Sequence, residues 1–590
     1  MEFNKTISAL FKLGINFEAC FPGEEQGTLE EYLSGMKKSE LLKMSSFFLG
    51  FNPENSRYSD IKHFLEMFFS SENAEFSKTV FNNILQYIGK TPQPYEMYEV
   101  PYVVSSLHLF EFIFDKIPNL QVTTKSNAEM ERDIFRAYVL LNQKTIKERD
   151  RISQQIRTDN DITLSMAQTL LQISFHNNDL INYRIEKVFY CQFVRALFYF
   201  EFLSAREDCQ ELLKAFYTFY EILDFKDYLR RLLGISHAVL MKDREAHTEI
   251  HLDDKENSAF IDKHIAKADS LLTELDFIKT RSNPLYKFDE EKYRIISPLF
   301  TIEMIYNGLF FRLKAINADL NGEAKVSGFY NLKTYEYSEQ YVLSRLLKEI
   351  YGNRYIQKSG AELDSILPGA PDYYMRNGKY IHIFESKDIL ITKESKQSFD
   401  YRDLENELRI KLHENEKGSP KAVKQLAETV RKILSGEAVY DSGIRENRVQ
   451  IFPVLVLHYR LFNAAGLNSV VNEWFKNEMA ALQESGLDTS GVHDLVLIDI
   501  ETLLFNKEAF ANRTISLQDT LLEYEKGYLR FDIAKARPRP TNNREVSSLF
   551  EKSLTPFSFY LDNKVERLGY RRNGDDLLEK AAVLFEDKEE

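Results

Sequence analysis

The sequence predicts an α+β chain of several domains, in which a large all-helical N-terminal region precedes a mixed α/β sheet domain. Three observations carry this expectation. No glycine occurs between Gly89 and Gly234 and no proline between Pro118 and Pro284, so the two strongest interrupters of regular structure are missing over lengths that favour long helices. Inside that stretch aromatic and leucine side chains recur three and four residues apart, at Phe193, Leu197, Phe200, Leu212, Phe216, Phe219 and Leu223, which is the period of an amphipathic helix. Near residue 326 the texture changes to short β-rich runs alternating with helical ones.

Residues 1–325 therefore read as the helical region, without a fixed-period repeat that would mark a solenoid. The dense Phe and Tyr at 189–225 reads as helix packing rather than a base-stacking platform. Beyond 326 the expected order starts with a helix at Ser338–Tyr351 and strands at Pro371–Met375 and Tyr380–Ile391. A polar helical segment follows, clearest at Lys421–Leu434, then a strand at Val449–Tyr459, a helix at Leu467–Leu482 and a strand at Asp494–Ile500. Strands alternating with helices imply a mixed sheet with covering helices, assigned to residues 326–504. Residues 505–590 read as a helical extension interrupted by a linker, Arg537-Pro538-Arg539-Pro540-Thr541-Asn542-Asn543.

Composition narrows the function classes. Of the 590 residues 44% are hydrophobic and 13% aromatic, which supplies large cores and excludes wholesale disorder. A net charge of −14 argues against a general cationic coat for nucleic acid, while leaving room for a local basic groove. Three scattered cysteines, Cys20, Cys191 and Cys209, make neither a disulfide framework nor a thiolate zinc site. The apolar stretch Ile7–Phe17 is interrupted by Lys12, and the run Phe189–Leu203 carries Arg195 and Glu201; neither reads as an export signal or a membrane span, so a soluble cytoplasmic protein is expected. No phosphate-cradling glycine motif, dinucleotide fingerprint or serine-nucleophile elbow is present. His247 and His251 stand four apart, the spacing of two metal ligands on one helical turn, but Asp253-Asp254-Lys255-Glu256 next to them favours an exposed acidic loop.

The stretch that carries chemistry is Leu367-Pro368-Gly369-Ala370-Pro371-Asp372, followed by Tyr380-Ile381-His382-Ile383-Phe384-Glu385-Ser386-Lys387. Side chains alternate along a strand, so Ile381, Ile383, Glu385 and Lys387 share one face, apolar at its start and charged at its end. Pairing through a turn at Arg376-Asn377-Gly378-Lys379 brings the carboxylates of Asp372 and Glu385 together. Paired carboxylates repel unless a cation neutralises them, and hard oxygen donors suit Mg²⁺ or Mn²⁺. Such a cation polarises a phosphoryl oxygen and activates water, with Lys387 beside it to position that water or offset developing charge. Phosphodiester hydrolysis is the reaction that uses all of these parts.

These residues resemble the PD-(D/E)XK nuclease superfamily, the restriction-endonuclease-like fold: Pro371-Asp372, twelve intervening residues, then Glu385-Ser386-Lys387. The resemblance covers about residues 327–504. It implies Asp372 and Glu385 as metal ligands, the backbone carbonyl of Ser386 as a further ligand, and Lys387 as the catalytic lysine. It also implies a glutamate from the preceding helix, which Glu339 fits because it lies on the apolar stripe of Val342, Leu343, Leu346, Leu347 and Ile350; Glu336 is the competing candidate. In the helix after the lysine strand, Gln425 matches a glutamine that positions water or backbone.

The expectation is a Mg²⁺- or Mn²⁺-dependent nuclease, most simply an endonuclease acting on DNA. The acidic helical region would gate it, bind a regulatory protein or form a homodimer, since one site cuts one strand and two cut a duplex. By analogy of fold the layout points to a bacterial restriction or anti-phage defence factor. A catalytically silent scaffold acting through its helices is the alternative. Between Pro371 and Ser435 there are 13 Lys and Arg against 11 Asp and Glu, so Lys393, Lys396, Lys417, Lys421, Lys424, Arg431 and Lys432 are candidates to flank a phosphate path.

Overall fold

The computed structural model describes residues 12–585 apart from 51–59, 92, 121, 154–161, 241–248, 253, 268–270, 274, 399, 445–447, 532–542 and 571–574. The chain divides into two compact units. One comprises Ile152–Asp179 and Val326–Asp576, the other Phe11–Arg151, Leu180–Lys325 and Leu577–Glu590. Two expectations change here. Residues 152–179 group with the sheet rather than with the remainder of 1–325, and most of 505–590 belongs to that same unit instead of forming an extension of its own. The expected linker at 537–543 falls almost wholly outside the described residues.

The second unit is mostly helical, and its aromatic density is core. Phe200 on the helix Ile185–Ser204 packs at 5.9 Å from Phe216 and 5.2 Å from Phe225, and Phe216 lies 5.0 Å from Tyr228. It is not all-helical, however. Leu285–Asp289 and Lys292–Ile295 form an antiparallel hairpin, and Glu249–His251 pairs with the second of these strands. The turn carries neither glycine nor proline and instead places Glu291 at φ +58°, which is why punctuation by those residues does not reveal it. His251 therefore sits on a strand and not on a helical turn; His247 lies outside the described residues. All three cysteines are buried.

The first unit holds a five-stranded mixed sheet. Its strands are β1 (Ile356–Ser359), β2 (Tyr373–Asn377), β3 (Tyr380–Lys387), β4 (Gln450–Leu457) and β5 (Val496–Asp499). They lie side by side in that order, β1 to β3 antiparallel and β3 to β5 parallel. β1 was not anticipated from the sequence: it is an edge strand, so Ile-Gln-Lys-Ser needs no apolar alternation. The central strands β3 and β4 are buried on both faces, as strands flanked by helices must be. Asn377 pairs with Tyr380 across a two-residue turn in which Gly378 takes φ +59°, the backbone that glycine enters without strain. The helices are α1, a continuous run from Phe329 to Tyr351, α2 (Tyr401–Leu412), α3 (Ala422–Leu434) and α4 (Leu467–Glu484). α1 widens to π-helical turns over Leu332–Val342 before returning to α geometry over Leu343–Tyr351. Among the described residues no helix is long and apolar enough to cross a membrane.

Candidate carboxylate–lysine centre

Three elements deliver side chains to one place. Tyr373 pairs with Phe384, so in this antiparallel register Asp372, just before β2, stands opposite Glu385. Period-two alternation puts Lys387 on the same face of β3 as Glu385. The π-helical part of α1 packs against β3 and brings Glu339 down from the sequence before it. The Lys387 ammonium meets all three carboxylates: Nζ lies 2.7 Å from Glu385 Oε1, 3.6 Å from Asp372 Oδ2 and 3.8 Å from Glu339 Oε2. Glu336, the competing candidate, is half-buried on the same helix; Glu339 is the one whose carboxylate meets the lysine.

Two of the three carboxylates also accept from backbone N–H groups. Ser386 N–H donates to Asp372 Oδ2 at 2.7 Å, and Asp388 N–H donates to Glu339 Oε1 at 3.3 Å. Gly360 N–H donates to the Asp372 carbonyl at 2.7 Å, and a Cβ on Gly360 would meet that oxygen at 3.0 Å, tighter than an ordinary contact, so glycine eases this approach. Asp388 is buried, with its carboxylate accepting from Lys333 Nζ and Ser338 Oγ. Burial works against its charge, but Lys333 and His458 outweigh that and lower its pKa. Ser386 Oγ pairs with His458 Nε2 at 2.8 Å on the far side of the strand. Asp388, Lys333, Ser338 and His458 escaped the sequence reading; the one local signal was an aspartate directly after Glu-Ser-Lys.

The electrostatics follow from three acids sharing one base in a buried setting. Desolvation, with Asp372 nearby, pushes Glu385 up to about 8 against the pull of Lys387. Glu339 rises to about 7, chiefly by burial. Burial opposes the Lys387 charge, yet Glu385, Asp372 and Glu339 together hold its pKa above that of an ordinary lysine. Burial thus weighs against the charge of two of the three acids, and a divalent cation would supply countercharge. Hard oxygen donors with surplus negative charge fit Mg²⁺ or Mn²⁺ chemically. Among the described residues no three acidic, histidine or cysteine groups surround a common ion position; the group that all three acids meet is the Lys387 ammonium.

Two predicted residues stand apart from this arrangement. Ser386 contributes its N–H and hydroxyl, and its carbonyl is not among these contacts. Gln425 is half-buried in the first turns of α3, its side-chain oxygen enclosed and accepting no hydrogen bond among the described residues. The expected phosphate path also changes. Lys396 is buried against Asp179 at 3.2 Å, Lys424 pairs with Glu414, and Arg431 pairs with Glu428 and Glu437. Lys432 donates to the carbonyls of Pro368 and Gly369 at 2.9 and 3.0 Å. These four cations are engaged by the protein itself. No protein family's sequence profile matches the chain, and no curated protein or solved structure matches it.

Proposed function

We propose that the chain is a Mg²⁺- or Mn²⁺-dependent nuclease of the PD-(D/E)XK kind that hydrolyses phosphodiester bonds of DNA. The observation that carries this reading is the meeting of Glu339, Asp372 and Glu385 on Lys387, from a helix, a strand start and a strand end far apart in sequence. Glu339, Asp372 and Glu385 would hold the cation, which when bound supplies polarisation of the phosphoryl oxygen and a more acidic water. Lys387, a compact charge beside that position, orients the attacking water and offsets charge developing on the phosphoryl oxygens. The N–H groups of Ser386 and Asp388 keep two of the carboxylates aimed, so the site is preorganised rather than assembled on binding. The helical unit is assigned a gating, targeting or self-associating role.

The test is cleavage of single-stranded DNA, duplex DNA and RNA by purified protein with Mg²⁺ or Mn²⁺, compared with Asp372→Ala, Glu385→Ala and Lys387→Ala. Metal-dependent cleavage by the wild type, lost in each variant, is the expected result. Absence of cleavage on every substrate, or equal cleavage by the variants, overturns the enzyme reading in favour of a silent scaffold.

A further inference from the structure

The wide turns of α1 do more than deliver Glu339. Tyr330, in the α-helical start of α1, and Tyr335, in its π-helical turns, lie five residues apart, and Tyr335 precedes Glu339 by four on the helix that packs against β3. Unlike the buried Tyr337 two residues further on, both rings are open to solvent, Tyr330 at 46% and Tyr335 at 38% of full exposure. Burial chiefly, and then nearby charges, raise the pKa of both hydroxyls: Asp364, Asp372 and Glu339 against Lys387 at Tyr335, and Asp388 and Glu339 against Lys333 at Tyr330. Large aromatic rings held open beside a charged centre offer a flat face to a ligand.

We propose that Tyr330 and Tyr335 form a stacking platform that makes the preferred ligand of this centre a single-stranded nucleic acid, its unpaired bases lying on the two rings. This rests on reading the carboxylate–lysine cluster as a nuclease centre. Two observations favour a single strand over a duplex. A duplex is gripped mainly through its phosphates by lysines and arginines, and here four of the seven candidate cations, Lys396, Lys424, Arg431 and Lys432, are tied to the protein's own acids and carbonyls. A duplex also buries its base faces, whereas an unpaired strand exposes them, and stacking on aromatic side chains then supplies affinity that needs no surplus of positive charge.

The experiment measures binding rather than cleavage. Fluorescence anisotropy in EDTA, with the full chain, compares a labelled oligothymidylate of about a dozen nucleotides, an oligouridylate of equal length and a blunt DNA duplex. At least one single strand is expected to bind about ten-fold or more tighter than the duplex. Tyr335→Ala and Tyr330→Ala should each weaken that binding about five-fold or more, while Tyr335→Phe, which keeps the ring, should retain it. A preference for duplex, or single-strand binding indifferent to both alanine changes, overturns the proposal; circular dichroism of each variant confirms that it is folded. The two readings fail separately. Tyrosine-dependent strand binding by a chain that cleaves nothing removes the nuclease reading alone, and metal-dependent cleavage with tyrosine-independent binding removes the platform alone.

Discussion

Removing the positive charge at Lys387 is the sharpest probe of the centre. Lys387→Met keeps the length of the stem and deletes the ammonium that Glu385, Asp372 and Glu339 share at 2.7, 3.6 and 3.8 Å. All four side chains are under a fifth exposed, so solvent screens the loss poorly. With an effective dielectric constant of about 20, the attraction is about 6 kcal/mol at the shortest distance and 4–5 kcal/mol at the others. Much of that attraction offsets the desolvation of the ions, and breaking a buried pair typically costs about 3–5 kcal/mol net. Protonation sets a ceiling, because the carboxylate left alone can take up a proton instead of staying charged. For an acid that ionises near pH 4 when unfolded, the uptake costs about 4 kcal/mol at pH 7 and only about 1.5 kcal/mol at pH 5. The expected loss in EDTA is therefore about 4 kcal/mol at pH 7, shrinking to about 1.5 kcal/mol at pH 5. Denaturant unfolding at both pH values measures it. Adding Asp372→Asn, whose amide oxygen can still accept from Ser386 N–H, should restore most of the loss. A penalty under about 1 kcal/mol at pH 7, an equal penalty at both pH values, or strict additivity in the double variant would show that the lysine is not the counter-ion of this cluster.

Other consequences are as direct. Mn²⁺ should raise the thermal midpoint of the wild type, by about 2.7 kcal/mol of native-state stabilisation when it reaches a hundred times its dissociation constant; Asp372→Asn should abolish most of this, and equal shifts would place the metal elsewhere. Lys396→Met should cost about 3–5 kcal/mol in urea unfolding, because it takes the ammonium from Asp179, which is fully buried and keeps the Tyr459 hydroxyl; a near-neutral result would mean that Asp179 does not depend on Lys396. Glu111 is buried and pushed from 4.5 up to about 8, mainly by desolvation and only partly relieved by its bond from Thr280. Its pKa is raised on folding, so its contribution to stability is complete below about pH 4.5 and is lost as pH rises through 8, at about 1.4 kcal/mol per pH unit. Glu111→Gln should accordingly gain stability relative to wild type between pH 5 and pH 8, and a pH-independent difference between the two would refute that assignment.

The hairpin that carries Asp372, Glu385 and Lys387 was legible because its information is local. Alternation places Glu385 and Lys387 on one face, and Gly378 marks the turn that sets the register. The choice of Glu339 over Glu336 rested on an apolar stripe read at α-helical period. The widening of α1 to π-helical turns over Leu332–Val342, which changes that period, was not legible. The hairpin at 285–295 hid for a related reason: its turn uses Glu291 in a left-handed conformation where the sequence offers no glycine.

The sequence by itself determined the helical character of most of the chain, the sheet in its C-terminal half and the residue types of the acidic centre, because periodicity and turn chemistry act between near neighbours. Tertiary structure decided how charges are used. Lys396 reads as a surface lysine until Asp179, 217 residues away, takes it into the core. Lys333 and Asp388, 55 apart, become a buried pair behind Glu339. A charge carries no sign in sequence of which partner it will meet, since that partner is selected by packing, and packing is also what removes the water that would otherwise make the pairing unimportant.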